Sequence, residues 1–156
     1  MLTPAELTTY IREQIPITVA MGVEIVEFSG NAVRASAPLE ANINHQESAF
    51  GGSIDTLGIL TGFVALVATL KQHGQSVHLV IQHSETEFSK PAVADMQSES
   101  RPISDAALKE FLGSLQRSGQ ARMLVTSDLF SEGRLIAKNT STFVGVVEAP
   151  PERSKP

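Results

Sequence analysis

The stretch from Asn44 to Asp55 gathers the residue types that chemistry at a carbonyl uses. Gly51 and Gly52 stand just ahead of a long helical pattern. Free backbone N–H groups and the helix dipole favour a developing negative charge at such a place. Glycine also permits a close approach that a side chain would block. Asp55 falls in the first turn of the helical pattern. It could serve as general base or nucleophile, or be an acid favoured by the helix N-terminus and nothing more. Asn44 could orient a water through an amide that both donates and accepts, or only shape its loop as an Asx turn. His45 could act as a base, but no spacing fixes a carboxylate beside it, and a plain loop histidine is the competing reading. Glu47 is a loop carboxylate of the solvated kind. Ser53 is a candidate N-cap with Thr56 nearby, and neither stands in a nucleophile elbow.

These residues depend on the elements that carry them. From Ser53 to about His73, Ile54, Leu57, Leu60, Val64, Val67 and Ala68 recur at helical spacing, while Phe63, Leu66 and Leu70 fill other faces. A helix apolar nearly all round must be wrapped by the rest of the chain. Gly58 and Gly62 would each cost roughly 1 kcal/mol against alanine in an isolated helix. Their spacing of one turn predicts a sheet lying close against the helix backbone. The apolar run Leu57–Leu70 is shorter than the roughly 20 residues of a membrane span, which favours a core helix.

Upstream, Thr3-Pro4-Ala5-Glu6 has the form of a capping box. Leu7, Tyr10, Ile11 and Ile15 follow at helical spacing, giving an N-terminal helix within residues 1–16 that stops at Pro16. Val23–Phe28 and Ala32–Pro38 read as a hairpin across Ser29-Gly30-Asn31. Downstream lie strands at Val77–Ser89, Ala92–Arg101, Gln120–Ser131 and Arg134–Val147. Pro91 marks the turn between the first two, and Glu132-Gly133 the turn between the last two. Alternation puts Val80, Gln82, Ser84, Thr86 and Phe88 on one face of the first of these strands. His83, Glu85 and Glu87 take the other, as solvent or oligomer surface. His78 and His83 are then expected on opposite faces, which excludes a shared metal, and no other metal cluster is visible. Ser104 caps an additional helix over 104–118 that ends near Gly119. The tail 150–156 is expected to be disordered. Antiparallel strands around one buried helix make an α+β domain over 1–149.

Composition narrows the functions. A chain of 156 residues suits one domain, and a net charge of −5 with scattered Lys and Arg argues against nucleic acid as a partner. The absence of Cys excludes disulfides, thiolate catalysis and Cys-rich zinc sites. Met1–Ile15 carries acids and lacks the layout of a signal peptide, so a cytoplasmic protein with no membrane partner is expected.

A recognisable signature runs through Ala37-Pro38-Leu39-Glu40-Ala41-Asn42-Ile43-Asn44-His45 and Ala49-Phe50-Gly51-Gly52-Ser53-Ile54. With Leu60-Thr61-Gly62-Phe63 and Phe88-Ser89-Lys90-Pro91, it resembles the thioesterase family of the hotdog superfamily whose members also occur fused behind an acetyltransferase domain. The resemblance implies a six-stranded antiparallel sheet curled around the long helix. It also implies acyl-coenzyme A or acyl-carrier thioesters as substrates, with no cofactor. The implied assembly is a homodimer, with a tetramer as the alternative, formed through Val77–Ser89 with active sites at the interface. On this reading Asn44, His45, Gly52 and Asp55 are the catalytic candidates, and Phe50, Gly51, Ser53 and Thr56 contact substrate. One departure stands out. Hotdog thioesterases with a His-Gly-Gly entry keep their catalytic acid about two turns into this helix, and that count from Gly52 lands on Ile59. A non-catalytic acyl-binding or regulatory protein is therefore the alternative.

Overall fold

The computed structural model describes residues 1–147, and the tail expected to be disordered lies outside them. The capping box forms as read. Glu6 N donates to Thr3 Oγ1 (3.2 Å) and Thr3 N to the Glu6 carboxylate (2.7 Å), opening α1 (Pro4–Gln14). A second short helix, α2 (Ile17–Met21), follows Pro16 and ends on Gly22 in the left-handed conformation. The sequence pattern assigns nothing there. Strands β1 (Glu24–Phe28) and β2 (Val33–Ala37) form the expected hairpin. A register shift between Ile25 and Glu27 explains why the alternation of β1 is imperfect.

The central helix α3 (Gly51–Gln72) begins two residues earlier than its apolar pattern predicts. Phe50, not Ser53, occupies the N-cap, and it offers no side-chain hydrogen bond. Gly51 and Gly52 thus lie inside the first turn, and Asp55 stands just beyond it. The weak helix propensity of glycine hides such a start. By length and composition α3 could cross a bilayer, yet most of it is enclosed by protein. Leu57, Val64, Ala65, Leu66 and Ala68 are fully buried.

After α3 come β3 (Val77–Phe88), β4 (Met96–Ser100), α4 (Asp105–Ser118), β5 (Gln120–Ser131) and β6 (Arg134–Val147). Together the strands make one antiparallel six-stranded sheet in the order β1-β2-β4-β5-β6-β3. β3 and β4 are not neighbours, so the segment at Pro91 crosses the sheet rather than turning back. It also shortens β4 relative to the predicted Ala92–Arg101. Here Ala92 O accepts from Ala49 N (2.8 Å) and the Asp95 carboxylate from Leu39 N (2.9 Å), tying the segment to the loop before α3. Ser104 caps α4 through Ala107 N (3.1 Å), and Gly119 closes it. Glu132 and Gly133 both adopt positive φ, as a two-residue hairpin turn requires.

The two sheet edges differ. α1 lies along β1, where the Thr8 hydroxyl accepts from Ile25 N (2.9 Å). Among the described residues no strand pairs with the outer edge of β3. β3 also contains a register shift between Ile81 and His83. That shift inverts the expected alternation. Val80 and Ser84 fall on opposite faces, and His78 and His83 on the same outer face, contrary to expectation.

The approach of α3 to the sheet is closest at Gly58. A Cβ there would lie 2.6 Å from Asn139 Cβ and 3.2 Å from Leu129 Cδ1, whereas one on Gly62 would meet Val125 at an ordinary 3.4 Å. Gly58→Ala should therefore destabilise by about 1–2 kcal/mol, overpacking exceeding the gain in helix propensity. Gly62→Ala should be neutral or stabilising by up to about 1 kcal/mol. Urea denaturation of both variants checks this, and equal stability would contradict the close approach.

Candidate active site

The loop before α3 is built by two asparagines. Asn42 is buried, and its amide donates to Met21 O (2.9 Å) and Pro38 O (2.8 Å), fastening the loop to α2 and to the end of β2. Asn44 Oδ1 accepts from Gln46 N (2.8 Å), Ser48 N (3.2 Å) and Ser48 Oγ (3.3 Å). The structure thus places the Asn44 side chain in an Asx-type turn, with its acceptor committed to its own loop. Glu47, in the left-handed conformation, and His45 are exposed at the tip. Phe50 N donates to Asn42 O (2.7 Å), which sets the angle at which the chain enters α3.

At the start of α3 the N–H groups of Gly51 and Gly52 have no carbonyl a turn earlier in the helix to bind. Ser53 N and Ile54 N donate to Phe50 O (2.9 and 3.1 Å). Two aromatic rings flank this end. The Phe50 ring lies where a Cβ on Gly52 would be, and the Phe88 ring is 3.8 Å from a Cβ position on Gly51. Both rings are more than half exposed.

Helical spacing then separates the candidates into two groups. Ser53 faces the loop and lines a shallow depression of about 340 Å³ with Asn44, His45 and Phe50. Gly51, Asp55, Ile59 and Phe63 follow one another at intervals of four and form a single stripe. That stripe faces β3 and β6. Asp55 and His45 are therefore not brought together. Thr56 is half-buried and makes no side-chain hydrogen bond among the described residues.

The partners of Asp55 come from the sheet. Its Oδ1 accepts from Thr86 Oγ1 on β3 (2.5 Å) and lies 3.4 Å from Asn139 Nδ2 on β6. Asn139 is fully buried, and its Nδ2 is 2.9 Å from both Thr86 Oγ1 and Ser84 Oγ. Ser141 Oγ donates to Asn139 Oδ1 (2.7 Å) and lies 3.2 Å from Ser84 Oγ. Sequence reasoning did not assign Thr86, Asn139, Ser84 or Ser141 to the site. The available signal was the parity of β6, where Asn139 and Ser141 alternate with Ala137 and Phe143 on the face that meets α3.

Beyond Asp55 the stripe turns apolar. Ile59 and Phe63 line a groove of about 690 Å³ with Leu79, Ile81 and Phe143, and Tyr10 and Lys71 stand at its far end. This volume suits a small-molecule ligand. The Phe63 and Phe143 rings pack at 6.2 Å between centroids. Ile59, two turns after Gly52, is thus a wall of this groove.

This sheet wrapped around one long helix is the hotdog fold. It matches, over 94% of this chain and 98% of the other, a protein described as of unknown function from Chlorobaculum tepidum (TM-score 0.88, 21% identity). It also matches a "putative thioesterase" from Shewanella oneidensis over 92% and 96% of the two chains (TM-score 0.81, 25% identity). A thioesterase from Haemophilus influenzae matches over 98% and 96% (TM-score 0.74, 14% identity). Residues 4–147 match the model of the family described as "Putative thioesterase (yiiD_Cterm)", and the chain belongs to that family.

The hydrogen bonds of Asn44 give it a structural role with a measurable size. Asn44→Ala should lower the unfolding free energy by about 1–2 kcal/mol, since it leaves loop N–H groups without their acceptor. His45→Ala, at an exposed tip, should change it by less than about 0.5 kcal/mol. Chemical denaturation measures both, and an unchanged Asn44→Ala midpoint would remove the loop-shaping role.

Proposed function

We propose that this chain hydrolyses the thioester of an acyl group carried on coenzyme A or an acyl carrier protein. The observation that carries the reading is the order of groups along one stripe of α3. Free amides at Gly51 and Gly52 come first, then the Asp55 carboxylate one turn on, then the apolar wall from Ile59 to Phe63. A thioester has the matching order of a polarisable carbonyl followed by an acyl chain. The carbonyl oxygen gains negative charge as the tetrahedral intermediate forms, and the Gly51 and Gly52 N–H groups at the positive end of α3 stabilise it. Asp55 takes the proton of the attacking water. Phe50 and Phe88 wall the approach to these amides, and the acyl chain lies along Ile59 and Phe63.

The open edge of β3 supports a homodimer within this reading. Its free backbone groups invite a second strand, and Val80, Ile81 and Phe88 are about half exposed along it. An antiparallel partner would close both sheets into one and cover the groove. The second reading, a protein that binds acyl thioesters without cleaving them, is favoured by the apolar Ile59 at the position where the family resemblance implies an acid.

Acyl-coenzyme A substrates of graded chain length, assayed by release of free thiol, separate the two. Turnover is expected, and Asp55→Asn should lower kcat by about 10²–10⁴-fold. His45→Ala should stay within about twofold of wild type, as its loop faces away from Asp55. Intact acyl-coenzyme A recovered from the wild type after hours, at every chain length, would decide for the binding protein.

A further inference from the structure

The Asp55 carboxylate can only accept hydrogen bonds, and this fixes the direction of every hydrogen bond behind it. Thr86 has one hydroxyl proton, and it goes to Asp55 Oδ1. Thr86 Oγ1 must then accept, and its neighbour at 2.9 Å is Asn139 Nδ2. The second Nδ2 proton of Asn139 is directed at Ser84 Oγ, also at 2.9 Å. Ser141 donates its proton to Asn139 Oδ1, so in the pair Ser84–Ser141 the donor is Ser84. The result is a closed ring, Asn139 to Ser84 to Ser141 and back to Asn139, with one arm running outward through Thr86 to Asp55. Each of these protons has its own acceptor. Rotating the Asn139 amide would oppose two donors at Ser141 unless the ring reversed, and it would leave Asp55 without its donor.

We propose that Thr86 and Asn139 are positioning residues that lock the Asp55 carboxylate through Oδ1, leaving Oδ2 as the oxygen that takes the proton of the hydrolytic water. This rests on the thioesterase reading above and deepens it. Two features indicate that the arrangement serves Asp55 rather than the packing of the sheet. Asn139 is fully buried on a strand face it shares with Ala137, Ser141 and Phe143, a costly choice where an apolar residue would fill the space. Gly58, one turn after Asp55, leaves room for it, since a Cβ there would clash with Asn139 Cβ at 2.6 Å. The ring holds the amide in one orientation, the amide sets the Thr86 hydroxyl, and the hydroxyl fixes the carboxylate rotamer. Asp55 also remains within one turn of the Gly51 and Gly52 amides, so its free oxygen and the oxyanion site stay in register. No atom of Thr86 or Asn139 need touch the substrate.

The test is a double-mutant cycle on the full chain with an acyl-coenzyme A substrate that the wild type turns over. Thr86→Val keeps the shape and strand propensity and removes the donor. It should lower kcat about 10- to 100-fold with KM nearly unchanged, the scale of a lost hydrogen bond to a charged group. Thr86→Ser restores the hydroxyl and should recover most of kcat. In an Asp55→Asn background Thr86→Val should have no further effect, because the group it positions is already disabled. Thermal melting of each variant reports folding separately. Wild-type kcat in a folded Thr86→Val protein, or an additive loss in the Asp55→Asn background, overturns the positioning role and leaves the thioesterase reading standing. A wild type without turnover on any acyl-coenzyme A overturns both.

Discussion

Helix α3 can rest on the sheet at Asn139 only because residue 58 has no side chain. A helix on a sheet is normally held off by its own Cβ atoms, and at Gly58 that spacer is missing. The backbone of α3 settles onto Asn139 and Leu129 there, while one turn later Gly62 meets Val125 and Phe143 at ordinary contact distance. Asp55, one turn before Gly58, is carried down by the same approach until its carboxylate reaches Thr86 and Asn139. A longer standoff would leave that carboxylate in solvent at the mouth of the groove. The geometry of the site is thus set by a backbone contact before any catalytic side chain is considered.

The sheet beneath α3 carries fully buried polar side chains, Ser98, Ser127, Asn139 and Ser141, alongside the buried apolar Leu129, Met123, Val125 and Phe143. Among the described residues the hydroxyls of Ser98 and Ser127 have no hydrogen-bond partner, an arrangement that costs about 1–3 kcal/mol for each unsatisfied group. An apolar row would stabilise the fold more. Thr86 and Asn139 hold Asp55, while Ile59, Phe63 and Phe143 form the apolar wall of the groove.

Local signals in the sequence carried the parts of the fold that local physics decides. Thr3 with Glu6, Ser104 with Gly119, and the Glu132-Gly133 turn each satisfy backbone groups within a few residues, and each is found where the pattern puts it. The all-round apolar helix implied a wrapping sheet, and its two glycines implied contact. What escaped depends on partners distant in sequence. The true start of α3 has no capping side chain to announce it, because Phe50 is held instead by Asn42 O. The shift in β3 between Ile81 and His83 is imposed by pairing with β6, and it reassigns the faces of Val80 and His78. Asp55 was legible as a candidate from its spacing to Gly51 and Gly52. Its partners lie 31 and 84 residues away, and no spacing in one sequence joins them. For Asn44 the sequence leaves an Asx turn and a water-holding role open, and in the structure its Oδ1 is engaged by the turn that presents the helix.

The proposed reaction centre joins Gly51, Gly52 and Asp55 at the head of the Ile59–Phe63 groove. A crystal structure with an acyl-coenzyme A analogue, in which a methylene replaces sulfur and the carbonyl is retained, tests it most directly. The account predicts the carbonyl oxygen within about 3 Å of the Gly51 or Gly52 N–H. Asp55 Oδ2 should face the carbonyl carbon across a water, with the acyl chain running past Ile59 toward Phe63. A carbonyl bound instead in the depression beside His45 and Ser53, with Asp55 remote from it, would contradict the account.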